Sequence, residues 1–394
     1  MYPKIYLALD NCFGIKRWTE PDEWMKISKE VGIHYIEASA DNECDPFYGG
    51  NDYLKDWIQK VEKSQIKYQS KVTNFFTGYS TYRTLGLLHP DRRIRDRLVN
   101  KWFKEIIQVA STLNAGLGFF VHAFSQPVLQ DPEVYQETKN LLFDTISLLI
   151  EFASSQSPSP VLLMLEQMYS PHQYPWTMNG TFEYLKEVYK RSKFPSYIAL
   201  DTGHMVGQRR FLRPSQEQLE ELFSCTHVHD LLSNFWLGSD SVRKIVIENS
   251  KSSFLSKTNF IELIEAEMDR YPYLFADPDD GDLYSWLKAM GCYSPIIHLQ
   301  QTNGRTSSHQ PFTKENNLKG IVHPKKVLQA LAHSYQEPTN SQFPPKCKEI
   351  YLTFEIFNSS IDYPLQIINR LRESVDFWRE FIPQDGLTLD VLVK

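Results

Sequence analysis

Four apolar runs in the chain each end on a side chain that can bind a metal through oxygen. They are Val161-Leu162-Leu163-Met164-Leu165-Glu166, Tyr197-Ile198-Ala199-Leu200-Asp201, Pro295-Ile296-Ile297-His298-Leu299-Gln300 and Ile350-Tyr351-Leu352-Thr353-Phe354-Glu355. A carboxylate at the end of a buried run is costly unless a cation or a donor compensates it. Two Glu, one Asp and one Gln describe a site for a hard divalent cation. The Gln carbonyl favours Mn2+ or Mg2+, with Co2+ or Zn2+ as alternatives. Beside such a cation, Glu166 and Glu355 would act as an acid/base pair on a sugar. One takes a proton from carbon and the other returns it, while the metal holds two neighbouring oxygens and stabilises an enediolate. The competing reading of Glu166 is a carboxylate paired with an arginine.

Nearby residues extend the set. Asp201-Thr202-Gly203-His204 places a carboxylate and an imidazole three residues apart, and Gly203 permits a sharp turn between them. His204 could equally cap a helix or fill the core. His298 and Gln300, two apart on a strand, face the same side. Lys71, His122, Arg305 and His309 are further candidates to hold substrate oxygens or a phosphate.

Apolar runs bounded by turn residues read as buried strands. Eight fit, at 4–9, 33–39, 67–73, 116–122, 161–166, 196–201, 294–300 and 349–355. Helical periodicity lies between them at 20–31, 92–113, 133–154 and 180–192, and a last helix falls at about 363–382. Alternation of this kind implies βαβ units and an α/β fold, and eight units imply a closed (β/α)8 TIM barrel. Active sites of such barrels sit at the strands' C-terminal ends, where all four metal-binding candidates fall. More than ninety residues separate Asp201 from strand seven, with helical patches at 215–223, 258–269 and 281–289. The reading is a single barrel domain over 1–394, with a lid-like insertion after strand six at 205–280. An alternative puts strand seven at Thr226-His227-Val228-His229-Asp230, with His227 or His229 as third ligand.

Composition limits the partners. The chain has 394 residues and a net charge of −6, and no long basic block appears, which argues against nucleic acid held by bulk charge. No apolar stretch is long enough to span a membrane. The N-terminus lacks the pattern of a signal peptide and reads as a first strand. Five cysteines without a CxxC pair suggest neither a zinc knuckle nor a disulfide framework, and point to a reducing cytoplasm.

Taken together, these pieces resemble the xylose-isomerase-like TIM barrel superfamily. The carriers are Leu165-Glu166, Asp201-Thr202-Gly203-His204, Thr353-Phe354-Glu355 and the helix opening His89-Pro90-Asp91-Arg92-Arg93-Ile94-Arg95. Strand seven, with His298-Leu299-Gln300 followed by Gly304-Arg305, is similar to the hydroxypyruvate isomerase variant. The resemblance implies that Glu166, Asp201, Gln300 and Glu355 bind the metal, with His298 as the alternative third ligand. It implies that Glu166 and Glu355 are catalytic, and that His204 and Arg305 hold substrate oxygens. The implied activity is isomerisation or epimerisation of a small sugar or sugar phosphate. A dehydratase using the same metal site is the alternative, and a nuclease similar to the AP-endonuclease barrels is a more distant one. Relatives are often dimers or tetramers, so a homo-oligomer is compatible with the resemblance.

Overall fold

The structure is a computed structural model that describes residues 2–78, 85–122, 124–225, 232–250 and 255–394, without the side chain of His122. Eight parallel strands close into a barrel: β1 (Lys4–Asp10), β2 (Tyr35–Ser39), β3 (Lys71–Thr77), β4 (Gly116–Phe119), β5 (Leu163–Glu166), β6 (Tyr197–Asp201), β7 (Ile296–Leu299) and β8 (Glu349–Phe354). β8 pairs with β1 from Lys4↔Glu349 to Leu9↔Phe354, which closes the ring. β5 and β6 are buried along their whole length, as expected for strands covered on both faces. β7 pairs with both β6 and β8, which settles strand seven at 296–299 rather than 226–230. The run 226–230 lies outside the described residues.

Helices follow the strands in turn. Pro21–Glu30 opens with a capping box between Glu20 and Glu23 and a proline in its first turn. In the 92–113 segment, Asp91 caps the start by accepting from Arg93 N. The segment then passes through a π-turn at Val99–Phe103 before continuing as Lys104–Leu113. Pro132–Ser154, Met178–Ser192, Leu283–Met290, Pro324–Ser334 and Pro364–Arg379 complete the outer layer. Among the described residues, no helix is long and apolar enough to cross a membrane.

Two strand boundaries differ from the sequence expectation. Residues 67–73 were expected as strand three, but the preceding helix runs on to Tyr68 and ends on Gln69 in the left-handed region. The strand therefore begins at Lys71 and reaches Thr77. Strand four stops at Phe119, and Val121–His122 pairs antiparallel with Gln173–Tyr174 as a two-stranded flap over the barrel end. Two glycines of β4 make room inside the barrel. A Cβ on Gly116 would lie 2.7 Å from Asn74 Oδ1, and one on Gly118 would lie 2.7 Å from the Phe76 ring.

The insertion after β6 builds a small core of its own. Helices Gln216–Ser224, Asp240–Asn249 and Lys257–Met268 pack Leu219, Leu222, Val242, Val246, Phe260, Ile264 and Met268 together. It joins the barrel wall through Tyr273, whose ring stacks on Tyr135 at 3.7 Å.

The loop after β2 is held by buried carboxylates. Trp24 and Trp57 both donate their indole N–H to Glu43 Oε2, at 3.2 and 3.4 Å. Burial nevertheless pushes the Glu43 carboxyl from 4.5 up to about 7. Between those pH values the folded chain keeps a proton that the unfolded chain releases, so stability falls as pH rises from 4.5 through 7. Glu43→Gln keeps an oxygen for both indoles and removes the buried charge. The expected outcome is a variant more stable than the parent at pH 8, by up to about 3 kcal/mol, with the gain vanishing near pH 5. Urea unfolding at the two pH values checks it.

Candidate active site

The strand ends converge on a cluster of acids and imidazoles inside the barrel mouth. One ligand atom each from Glu166, Asp201, His298 and Glu355 lies within 4.8 Å of the others, and all four residues are buried. Glu166 and Asp201 are the last residues of β5 and β6, His298 lies within β7, and Glu355 follows β8. Strand geometry thus brings together residues spread over 190 positions of sequence. Asp10, at the end of β1, and Glu37, in β2, line the cluster from below.

His298 is wedged between carboxylates. Its Nε2 lies 2.7 Å from Glu37 Oε1, and its Nδ1 lies 3.0 Å from Glu166 Oε1 and 3.5 Å from Glu355 Oε2. Asn74 Nδ2 donates to the other Glu37 oxygen at 2.5 Å. The Phe76 ring meets the imidazole edge-on at 4.8 Å. Burial disfavours the His298 imidazolium, but Glu37, Glu355 and Glu166 together raise its pKa well above the ordinary value.

Asp201 is oriented from three sides. Its Oδ1 accepts from Gly203 N at 2.6 Å, His204 N at 3.0 Å and Gln300 Nε2 at 2.7 Å. Among the described residues its Oδ2 is buried without a hydrogen bond, whereas Glu355 Oε2 is faced by the imidazoles of His309 and His298. An orphaned carboxylate oxygen in a cluster of acids suits a cation. Gln300, expected as a ligand, spends its amide on neighbours: Nε2 donates to Asp201 and to Ser307 Oγ at 2.8 Å, while Oε1 accepts from His309 N at 2.6 Å.

His204 is buried, and its Nδ1 lies 2.8 Å from the Gln167 carbonyl, to which it donates. His309 reaches the site from the loop after β7 on a left-handed backbone, φ 45°. Its Nδ1 lies 3.3 Å from Glu355 Oε2 and its ring stacks on Phe357 at 4.0 Å. Burial lowers the His309 pKa and Glu355 raises it, with a net result of about 9. The two glutamates diverge. Burial raises the Glu166 carboxyl, with His204 and His298 opposing it. Burial also acts on Glu355, but there His298 and His309 prevail and pull its pKa well down.

Other expected residues fall elsewhere. Arg305 is exposed on the loop after β7, and its guanidinium has no hydrogen bond or ion pair among the described residues. Lys71 opens β3 and is exposed, about 20 Å along the strand from the site end. The structure does not bring it to the site, because the strand starts four residues later than expected. The His122 side chain lies outside the described residues. Sequence reasoning missed Asp10, Glu37 and Asn74. The signal was present for Asp10, since β1 is an apolar run ending on Asp in the same way as β6. Glu37 lies inside a strand rather than at its end, so that pattern could not reveal it.

Solved structures similar to this chain share its architecture. A Rhodospirillum rubrum ATCC 11170 protein described as a xylose isomerase superposes with a TM-score of 0.67 over 95% of this chain and 99% of that one, at 16% identity. D-psicose 3-epimerase from Clostridium cellulolyticum H10 superposes with a TM-score of 0.54 over 96% and 98%, at 11% identity. The chain therefore shares their (β/α)8 barrel fold. Among curated proteins, D-erythrulose 1-phosphate 3-epimerase of Brucella abortus (strain 2308) is 32% identical over 126 residues. That stretch covers 32% of this chain and 37% of the Brucella protein. No family model matches the chain.

Gly203 is the tightest point of the site. An added Cβ would stand 2.5 Å from Gln300 Cδ. Gly203→Ala is expected to displace the amide that orients Asp201 and to cost about 1–3 kcal/mol, read as a lower urea midpoint.

Proposed function

We propose that the chain is a divalent-metal-dependent isomerase or epimerase of a small sugar or sugar phosphate, with Glu166 and Glu355 as its acid/base pair. The observation that carries this reading is the placement of these two carboxylates, on β5 and β8, around Asp201 and His298. The fold and the partial likeness to a ketose-phosphate epimerase support it.

The three carboxylates Glu166, Asp201 and Glu355 would hold the metal, and their hardness favours Mn2+ or Mg2+. His298 Nδ1 is the best-placed fourth donor, because Glu37 on Nε2 would orient it as a second-shell carboxylate orients a ligating histidine. Gln300, with its amide engaged on both sides, would support Asp201 instead. When bound, the metal supplies Lewis-acid stabilisation of the negative charge on an enediolate.

The rest of the chemistry belongs to the chain. Glu355, faced by His309 at 3.3 Å, takes the proton from the carbon beside the carbonyl, and the C–H electron pair passes into the enediolate. Glu166, whose carboxyl burial favours as the acid, returns a proton to carbon. Return at the opposite face inverts the centre, whereas return at the neighbouring carbon moves the carbonyl. His204 would hold a substrate oxygen, whereas Arg305 stays exposed on the loop after β7. The segment 205–280 would act as a lid. Its base is tied to the loop after β7 by Arg209, which donates to Gly304 O at 3.2 Å and to Gly281 O at 2.8 Å.

Glu166→Gln and Glu355→Gln are each expected to lower kcat by about 10²–10⁴-fold. Activity should disappear with EDTA and return with Mn2+ or Mg2+. Incubation of ketoses in D2O should place deuterium beside the carbonyl without loss of water. Near-parental turnover in either Gln variant sinks the two-carboxylate mechanism. The ligand assignment has its own test: His298→Ala should weaken Mn2+ binding about 10–100-fold, and more than Gln300→Leu does. The reverse order makes Gln300 the ligand.

A further inference from the structure

A cavity of about 390 Å3 opens on the rim of the barrel mouth, between the turn after β1 and the segment after β8. Its walls include Cys12, Lys16, Arg17, Phe357, Asn358 and Ser360, and among the described residues no carboxylate lines it. In a chain with a net charge of −6, two cations on one small cavity without an acid stand out.

The cavity adjoins the candidate metal cluster. Cys12 follows Asp10 by two residues, and its thiol lies 3.6 Å from the Ile356 carbonyl, next to Glu355. Phe357, which forms part of the wall, stacks on His309, and His309 in turn lies 3.3 Å from Glu355. One aromatic ring and one imidazole therefore separate the cavity from the proposed base.

Its polar groups are donors in want of an acceptor. Lys16 is exposed, and its ammonium has no hydrogen bond or ion pair among the described residues. Its backbone is left-handed, φ 64°, a conformation that a non-glycine residue adopts only when the surroundings impose it. Asn358 Nδ2 is buried and unpartnered. Arg17 is pinned at the wall by bonds to the carbonyls of Ser359 at 2.7 Å and Asp362 at 3.1 Å, which fixes its guanidinium while leaving further N–H groups. The Asp362 carboxylate is itself engaged, by Arg370 at 3.1 Å and Ser359 N at 2.8 Å.

The geometry points to an anion subsite, formed by Lys16, Arg17 and Asn358, that takes the phosphate monoester of a ketose phosphate whose carbonyl end lies at Glu166 and Glu355. This deepens the reading above and rests on it for the sugar part of the ligand. Lys16 and Arg17 supply charge, and the Asn358 amide supplies a buried donor. The substrate class is then phosphorylated ketoses in preference to free ones.

The first test uses inorganic phosphate on the metal-free protein, followed by 31P NMR line width. The parent is expected to bind saturably. Lys16→Glu and Asn358→Asp should each weaken binding at least tenfold, while Lys29→Glu, an equal change of charge on the outer helix, should bind as the parent does. Equal binding by the parent and both rim variants overturns the subsite, and so does equal weakening by Lys29→Glu. The second test compares kcat/KM for a ketose phosphate and its free ketose on the Mn2+-loaded protein. Lys16→Glu should lower that ratio at least tenfold. An unchanged ratio with intact turnover overturns the subsite and leaves the isomerase reading standing. Phosphate binding lost in both rim variants, with no deuterium uptake into any ketose, supports the subsite and removes the reaction.

Discussion

The mouth of this barrel buries five carboxylates, Asp10, Glu37, Glu166, Asp201 and Glu355, within reach of a few imidazoles. Removing that many like charges from water is prohibitive unless positive charge or donors offset it. Most of the local architecture answers that demand. His298 is clamped between Glu37 and Glu166, His309 is brought down on a strained backbone to face Glu355, and Asp201 receives three N–H groups on one oxygen. Among the described residues the buried Asp201 Oδ2 stays without a hydrogen bond, as an oxygen free to meet a cation would.

The same demand explains the close packing around the cluster. Gln300 can orient Asp201 only because Gly203 carries no Cβ, and Asn74 and Phe76 can reach Glu37 and His298 only because Gly116 and Gly118 leave the barrel interior open. Each glycine is thus a condition for a charge interaction rather than a flexible point. His309 couples this inner layer to the outer one. Its ring rests on Phe357, on the segment that runs on to Asn358, and its backbone N–H is held by Gln300. Groups on the rim and groups in the buried acid cluster are in this way joined through one loop.

The insertion after β6 is built on a different principle. It carries an apolar cluster of its own, and at its base Arg209 bridges Gly281 and Gly304. That arrangement lets a long segment vary without disturbing the strand ends. A buried acid such as Glu43, held by two indoles in the loop after β2, shows that paired burial of charge is used outside the site as well.

The eightfold alternation of apolar runs and helical periods, and the placement of Glu166, Asp201 and Glu355 at strand ends, were legible in the chain itself, because burial on both faces of a parallel strand forces apolar runs that stop where the site begins. Asp10 followed the same rule and could have been read. The start of β3 could not, since residues 67–70 suit a helix end as well as a strand, and only the left-handed Gln69 decides between them. Glu37, Asn74 and the roles of His298 and Gln300 were likewise beyond the sequence. His298 and Gln300 share a strand face, and sequence alone does not say which one turns toward carboxylates and which toward backbone N–H groups. Glu37 stands 261 residues from its His298 partner, and only closure of the barrel puts the two 2.7 Å apart. The sequence determined which side chains stand at the barrel mouth, through local burial and periodicity. The tertiary structure decided which of them meet, because those pairings depend on register and on packing across the ring.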